Sequence, residues 1–447
     1  MQKVEVIEIE SEEKEKENKK SIWAWTMYDW ANSAFATTVM GVVLPTYFAT
    51  YIAQGASVPI WGNAVAIGSL IAALMSPILG AIADFKASKK KFMAFFVALG
   101  VISTALLWFV VEPADQALCI LLYILGTVGF AGSLVFYDSL LPHIAKEDEI
   151  DQVSSRGYAL GYIGGGLLLL INAIMIFVGP RLLPGMPEAE AAALMMRLSL
   201  VSVAIWWAVF SIPIFRHVSE PAARGEAHEI GQNVVTVGFS RLGKALKDIR
   251  GYQDLFLFLI TFFVYANGIG TIITMAAAYA SDLNFSTMTI LGTFLMVQFV
   301  AAPFSILFGN LATKLGNKKA ISLSLGIYAL IAVFGFFMQQ EWHMFVLGFG
   351  VAMVQGGSQA LSRSLIGKLM PRSKSAEFYG FFSVSEKFNT VVGPALMAFI
   401  TARTGDPRLG IVSLVVFFVA GIIMLRFVNV ERGIAKAESV DAQMVEL

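Results

Sequence analysis

Apolar positions along this 447-residue chain come in long unbroken runs rather than in a period-2 alternation or a narrow helical stripe. Runs of about 20 residues, each enough to cross ~30 Å of hydrocarbon as a helix, recur with short polar interruptions. They fall at 22–51, 60–83, 92–111, 116–141, 154–179, 194–215, 254–280, 287–312, 320–338, 343–369, 377–401 and 409–430. Backbone groups in lipid must pair within their own segment, and these lengths fit helices rather than the ~10-residue strands of a barrel. The pattern predicts an all-α membrane protein with twelve transmembrane helices.

The longest interruption, 216–253, is polar and divides the chain into an N-terminal six-helix domain, 21–215, and a C-terminal one, 254–430. Within this linker, residues 239–250 place apolar residues at helical spacing among basic ones, which predicts a helix lying on the inner membrane surface. Residues 1–20 hold seven Glu and five Lys and are expected to be a disordered, solvated tail. The apolar run after them is too long for a signal-peptide core. Residues 431–447 form a second polar tail.

Composition agrees with lipid as the missing solvent. Apolar residues make up 57% of the chain, charged residues only 14%, and mean hydropathy is +0.71; soluble domains carry roughly 25% charge. A net charge of zero argues against a nucleic-acid surface. One cysteine, Cys119, excludes a disulfide framework or a Cys-based metal site. The four histidines all fall in or beside loops, so ligands for a haem or di-iron centre inside the bundle are missing. The chain also lacks a phosphate-binding G-x-x-x-x-G-K-[ST] loop. Neither an enzyme nor a bound cofactor or metal is expected.

Of the 32 Lys and Arg, 26 lie in or beside the tails and the even-numbered connections; Arg181, Arg197, Arg403 and Arg408 lie on the other side. This bias predicts both termini in the cytoplasm. The halves also repeat at an offset of 229 residues. Gly80-Ala-Ile-Ala-Asp84-Phe-Lys86-Ala-Ser-Lys89-Lys90 follows span 2, and Gly309-Asn-Leu-Ala-Thr313-Lys314-Leu-Gly316-Asn-Lys318-Lys319 follows span 8; the same offset carries Pro142 onto Pro371 and Gly164 onto Gly393. A duplicated six-helix unit places a substrate site near midplane between the halves.

The repeated loop resembles the signature between helices 2 and 3 of the major facilitator superfamily. The first copy lacks the second glycine; the second has Thr313 where the signature has Asp. Two longer stretches, Trp25-Thr-Met-Tyr28-Asp29-Trp30-Ala31-Asn32-Ser33-Ala34-Phe35 and Gln355-Gly-Gly-Ser-Gln359-Ala-Leu-Ser362-Arg363-Ser364 leading to Glu377…Glu386-Lys387, are similar to one branch of it. That branch contains the fungal autophagy-related vacuolar amino-acid effluxers and their uncharacterised bacterial relatives. The resemblance, over about 22–430, implies the major facilitator fold and a monomeric secondary transporter of small solutes in the plasma (bacterial inner) membrane. It implies alternating access, a coupling proton, and a loop Asp84 that docks across the halves and latches one conformation, with Gly80, Lys86, Gly309, Lys314 and Gly316 completing the two latch loops. Amino acids or similar zwitterions are the favoured solutes. A drug-, sugar- or lipid-like substrate, or a non-transporting receptor, is the alternative.

Ionisable residues inside spans are costly and by default line a cavity or pair with one another. Here they are Asp29, Asp138, Arg363, Glu386 and Lys387. Asp29 heads a one-face stripe with Asn32, Ser33 and Thr37; span 10 offers Gln355, Gln359, Ser362 and Arg363; span 7 offers Asn267, Thr271 and Thr274; span 11 offers Glu386, Asn389 and Thr390. One reading has these faces lining the central pathway, Arg363 gripping a substrate carboxylate and Asp29 or Glu386 taking up a proton. The other, favoured by their cytoplasmic depth, is a gate or fixed ion pair. Asp138 is expected to be structural and to meet Arg156. Gly157, Gly161 and Gly165 are expected to allow tight helix packing.

Overall fold

A computed structural model describes residues 2–53, 57–221, 251–388 and 392–445. It is helical, with no strand among the described residues. The N-terminal half comprises α1 (Gln2–Ala34), α2 (Ser57–Lys86), α3 (Lys89–Leu106), α4 (Gln116–Ile144), α5 (Ile150–Val178) and α6 (Glu188–His217). The C-terminal half comprises α7 (Gln253–Asp282), α8 (Thr287–Leu315), α9 (Asn317–Phe336), α10 (Glu341–Leu369), α11 (Ser375–Phe388), α12 (Val392–Thr404), α13 (Pro407–Val412) and α14 (Val415–Phe427). A last helix, α15 (Val430–Val445), follows. Among the described residues eleven helices are long and apolar enough to cross a membrane. The remaining expected span, 377–401, falls on α11 and α12, on either side of residues 389–391, which lie outside the described residues, as does the inner-surface helix expected at 239–250.

Two expectations need correction or refinement. Residues 2–20, expected as a disordered tail, are helical and continuous with span 1. Glu and Lys are strong helix formers, and Glu15 pairs with Lys19 one turn on at 2.6 Å; residues 15–17, 19 and 20 remain solvent-exposed. Span 1 is not regular throughout. It passes through π-helical turns at Phe35–Val42 and Phe48–Ile52, and Val43 donates to the Thr38 carbonyl five residues back. Such wide turns are uncommon and often sit at functional sites.

Each half buries an apolar core, from Ala24 to Val218 in one, joined by Ala376 from across the junction, and from Tyr252 to Val428 in the other. Large apolar side chains such as Leu74, Phe95, Phe177, Leu330 and Phe427 stay exposed around the outside, where lipid rather than water is the favourable neighbour. The internal repeat survives as a shared arrangement that is shifted by one residue after the loop. Lys90 Nζ donates to the Phe215 and Val218 carbonyls at the end of α6, and Lys318 Nζ donates to those of Arg426 and Val428 at the end of α14. Both amines satisfy carbonyls that a helix end leaves without partners. The loop glycine missing from the first copy is replaced by Ala87, which shares a positive φ (45°) with its repeat partner Gly316 (φ 83°).

The halves meet through α2 against α11 and α5 against α8, two contacts related by the repeat. Gly80 and Gly309 set these approaches. A Cβ on Gly80 would fall on the Ala376 carbonyl, and one on Gly309 would sit 2.6 Å from Ser155 Oγ. Both contacts lie at the end of the bundle that carries the lysine-rich loops.

Candidate functional site

Arg363, on α10, is the centre of the junction. It is 2% exposed, and a guanidinium has five N–H donors and no acceptor. All five are engaged, and every acceptor belongs to the other half. Nε donates to Ser154 Oγ at 2.9 Å and Nη2 to the Ser154 carbonyl at 2.8 Å. Nη1 and Nη2 each reach Asp29 Oδ2 at 3.1 Å, and Nη1 also reaches Asp138 Oδ1 at 3.3 Å. The rings of Trp25, Tyr137 and Tyr158 close over the guanidinium at 4.8, 5.5 and 4.3 Å. Cation–π contacts of this kind strengthen when water is excluded.

The partners are themselves fixed. Tyr137 donates its hydroxyl to Asp29 Oδ2 at 2.8 Å, and Trp25 Nε1 donates to the Tyr137 carbonyl at 2.9 Å. Ser154 Oγ donates to the Ala360 carbonyl at 2.8 Å, a further bond across the halves. Gly157 provides the slot: a Cβ there would strike Asp29 Oδ2 and come within 3.0 Å of Arg363 Nη2. Gly161 and Gly165 let span 1 pack onto α5 at Ser33 and Thr37, which is the close packing expected of this glycine stripe.

The residues singled out by spacing therefore separate into groups. Asp29 and Arg363 come together. Asp138 meets Arg363 rather than Arg156: its carboxylate turns into the junction, while Arg156 is solvent-exposed. Arg363 was expected to grip a substrate carboxylate; here its fork is fully occupied by protein acceptors. Glu386 is half-buried and near enough for its charge to act on Asp138. Gln359 accepts the Tyr162 hydroxyl at 2.9 Å across the halves, and half-buried Gln355 lies one turn away. Asn32 is buried, and its Nδ2 has no hydrogen-bond partner among the described residues. Asn267 instead ties α7 to α12: Nδ2 donates to Phe263 and Oδ1 accepts from Gly393 N. The side chain of Lys387 and residues Asn389 and Thr390 lie outside the described set.

At the loops, Asp84 is buried and crosses the junction. Its Oδ2 accepts from Glu377 N at 2.9 Å, and Oδ1 pairs with Lys89 Nζ at 2.9 Å. Lys89 Nζ also reaches Ser375 Oγ and His143 Nε2. Thr313 stays exposed and donates to Asn310 on its own helix, and Lys314 is exposed. The Lys86 side chain lies outside the described set. Sequence reasoning missed the ring cage, Ser154, and a cluster of Asp151 with Asn317 and Lys368; only the adjacency of Trp25 and Tyr137 to singled-out residues hinted at the first.

Two six-helix halves joined at one end through buried charge define a membrane transporter of the major facilitator fold, and solved structures agree. The fucose transporter FucP in its outward conformation superposes with a TM-score of 0.71 at 14% identity, covering 92% of this chain and 98% of its own. The human organic anion transporter MFSD10 gives 0.66 at 11% identity, covering 91% and 99%. The profile of the family described as "Vacuole effluxer Atg22 like" matches residues 54–438, and the chain belongs to that family. An uncharacterised MFS-type transporter of Bacillus subtilis (strain 168), YxiO, is 39% identical over 91% of this chain and 94% of its own length. Autophagy-related protein 22 of Coccidioides immitis (strain RS) is 24% identical over 82% and 72%.

Proposed function

We propose that the chain is a secondary active transporter of a small solute, with amino acids and similar zwitterions as the favoured class. It works by alternating access, with its lysine-rich end and both termini in the cytoplasm of the plasma membrane. The observation that carries this reading is the closure of all five Arg363 donors by the opposite half. Such a lock seals one end of a pathway and must break for that end to open.

The charge count suggests how it breaks. Asp29 and Asp138 share one guanidinium, so full ionisation leaves an extra buried negative charge, and proton uptake by one carboxyl removes it. A protonated Asp29 holds Arg363 less strongly. The freed fork then offers two parallel donors to a substrate carboxylate, the geometry in which arginine binds such groups best. Coupling and substrate binding thus act on one side chain, and the unpaired Asn32 amide on the same α1 face is a further donor for the solute.

The test is transport by purified protein in liposomes, screened against a labelled metabolite mixture with and without a proton gradient. The account expects uptake of a carboxylate-bearing solute that the gradient raises and that Arg363→Lys abolishes, because a single ammonium cannot reproduce the fork. Uptake of an uncharged solute only, or uptake indifferent to the gradient, contradicts it.

A further inference from the structure

Of the two repeated loops, only the first carries an acid, Asp84; the second has the neutral and outward-facing Thr313. The second junction, α5 against α8, nevertheless contains a buried ion pair. Asp151 sits in the first turn of α5 and is 2% exposed. Its Oδ2 accepts from Lys368 Nζ at 2.8 Å, and its Oδ1 accepts from Asn317 Nδ2 at 2.5 Å. Asn317 is the first residue of α9, directly after loop glycine Gly316, and Lys368 lies in the last turn of α10. Lys368 Nζ also donates to Asn317 Oδ1 at 3.0 Å, and Asn317 Nδ2 reaches Ser364 Oγ at 3.2 Å, so the cluster is internally closed.

We infer that Asp151, Lys368 and Asn317 form a second latch between the halves, with the acid moved from the loop to the helix that the loop docks against. The inference rests on the alternating-access reading above. At the first junction the loop supplies the carboxylate, and the N-terminus of α11 supplies the Glu377 N–H. At the second, the N-terminal turn of α5 supplies the carboxylate, and the loop supplies an amide with a lysine behind it. Each junction thereby holds one buried carboxylate, one lysine within 2.9 Å and one further donor. Both carboxylates lie in the N-terminal half, as do Asp29 and Asp138.

The two latches differ in what opening leaves behind. Asp84 keeps Lys89, which belongs to its own half, and loses only the Glu377 N–H. Asp151 loses both Lys368 and Asn317, because both belong to the other half. Opening thus breaks two contacts to the Asp151 carboxylate and one to that of Asp84. The second latch therefore resists opening more than the first, although its loop lacks the signature acid.

A thiol at Ser155 reports on this seam, since the serine hydroxyl lies against Gly309 and is shielded while α5 and α8 are together. On a Cys119→Ser, Ser155→Cys background in liposomes without substrate, alkylation by a membrane-permeant maleimide is followed in Asp151→Asn, Lys368→Met and Lys368→Arg. Expected is a roughly 5- to 150-fold faster reaction in Asp151→Asn and Lys368→Met, with Lys368→Arg close to the parent. Parent-like rates in both disrupting variants, or equal acceleration by Met and Arg at position 368, would overturn the latch. Should Lys368→Met fail to fold, the near-isosteric Asp151→Asn decides by the same criterion. The readout needs no transport, so it stands or falls separately from the substrate assignment.

Discussion

Asp29 and Arg363 are 334 residues apart, yet both stand out in the chain for one reason: each is ionisable inside an apolar run, where an unpaired charge is prohibitively costly. That rule singles out the participants and cannot assign partners. Asp138 was equally visible and was matched to Arg156, the nearer arginine in sequence, because helical spacing says nothing about contacts between halves. The ring cage was hidden for a different reason. Aromatic residues make up 12% of the chain, so residue type alone does not separate Trp25, Tyr137 and Tyr158 from packing residues. At this scale the structure makes a definite forecast. Arg363→Gln leaves Asp29 and Asp138 both buried without a cation, at about 3–5 kcal/mol, whereas Asp29→Asn leaves Arg363 paired with Asp138 and, added to Arg363→Gln, removes one of the two stranded carboxylates. A thermal-unfolding cycle should show the double variant well above the sum of the single losses. Additive losses would mean that the two side chains do not depend on each other.

At the level of helices, lipid makes spans legible: an apolar run of the right length has few alternatives to a helix, and the expected runs coincide with helices at all but the 377–401 segment. Irregular features were not legible. The π turns of span 1 depend on how its neighbours pack, and the ordering of residues 2–20 depends on continuity with a stable helix behind them. The loops fall between these cases, since Asp84 was readable as a docking acid while Asp151 was an ordinary helix-start aspartate. The structure ranks three substitutions by their effect on the closed end. Thr313→Val removes only a bond within α8 and should be nearly silent. Asp84→Asn should shift access measurably, and Asp151→Asn should shift it at least as far, because its acid loses every partner on opening. Cysteine-accessibility profiles along the seam order the three; a large Thr313→Val effect would contradict the ranking.

Considered whole, the molecule is two apolar bodies whose ion pairs across the joined end all place the carboxylate in the N-terminal half and the cation in the C-terminal half. The N-terminal half brings Asp29, Asp138, Asp84 and Asp151, and the C-terminal half brings Arg363, Lys368, Asn317 and the Glu377 N–H. Attraction across the seam favours closure at this end and makes its release sensitive to neutralising one carboxylate. The same end holds the lysine-rich loops, so the orientation is open to a direct check. With Cys119→Ser, single cysteines at exposed Lys91 or Lys314 should react with impermeant reagents only from the cytoplasmic side, and one at exposed Trp342 only from outside. The reverse pattern would invert the assignment of the gate.

The central claim, that the Arg363 cluster holds the basic end shut, is tested most directly by pulsed electron paramagnetic resonance. Spin labels at exposed Lys91 and Lys319, one on each half, are attached to the Cys119→Ser protein and to the same protein carrying Arg363→Gln. The account predicts a dominant short distance in the parent and a substantial longer-distance population once Arg363 is neutralised. Superimposable distance distributions in two equally folded samples would contradict it.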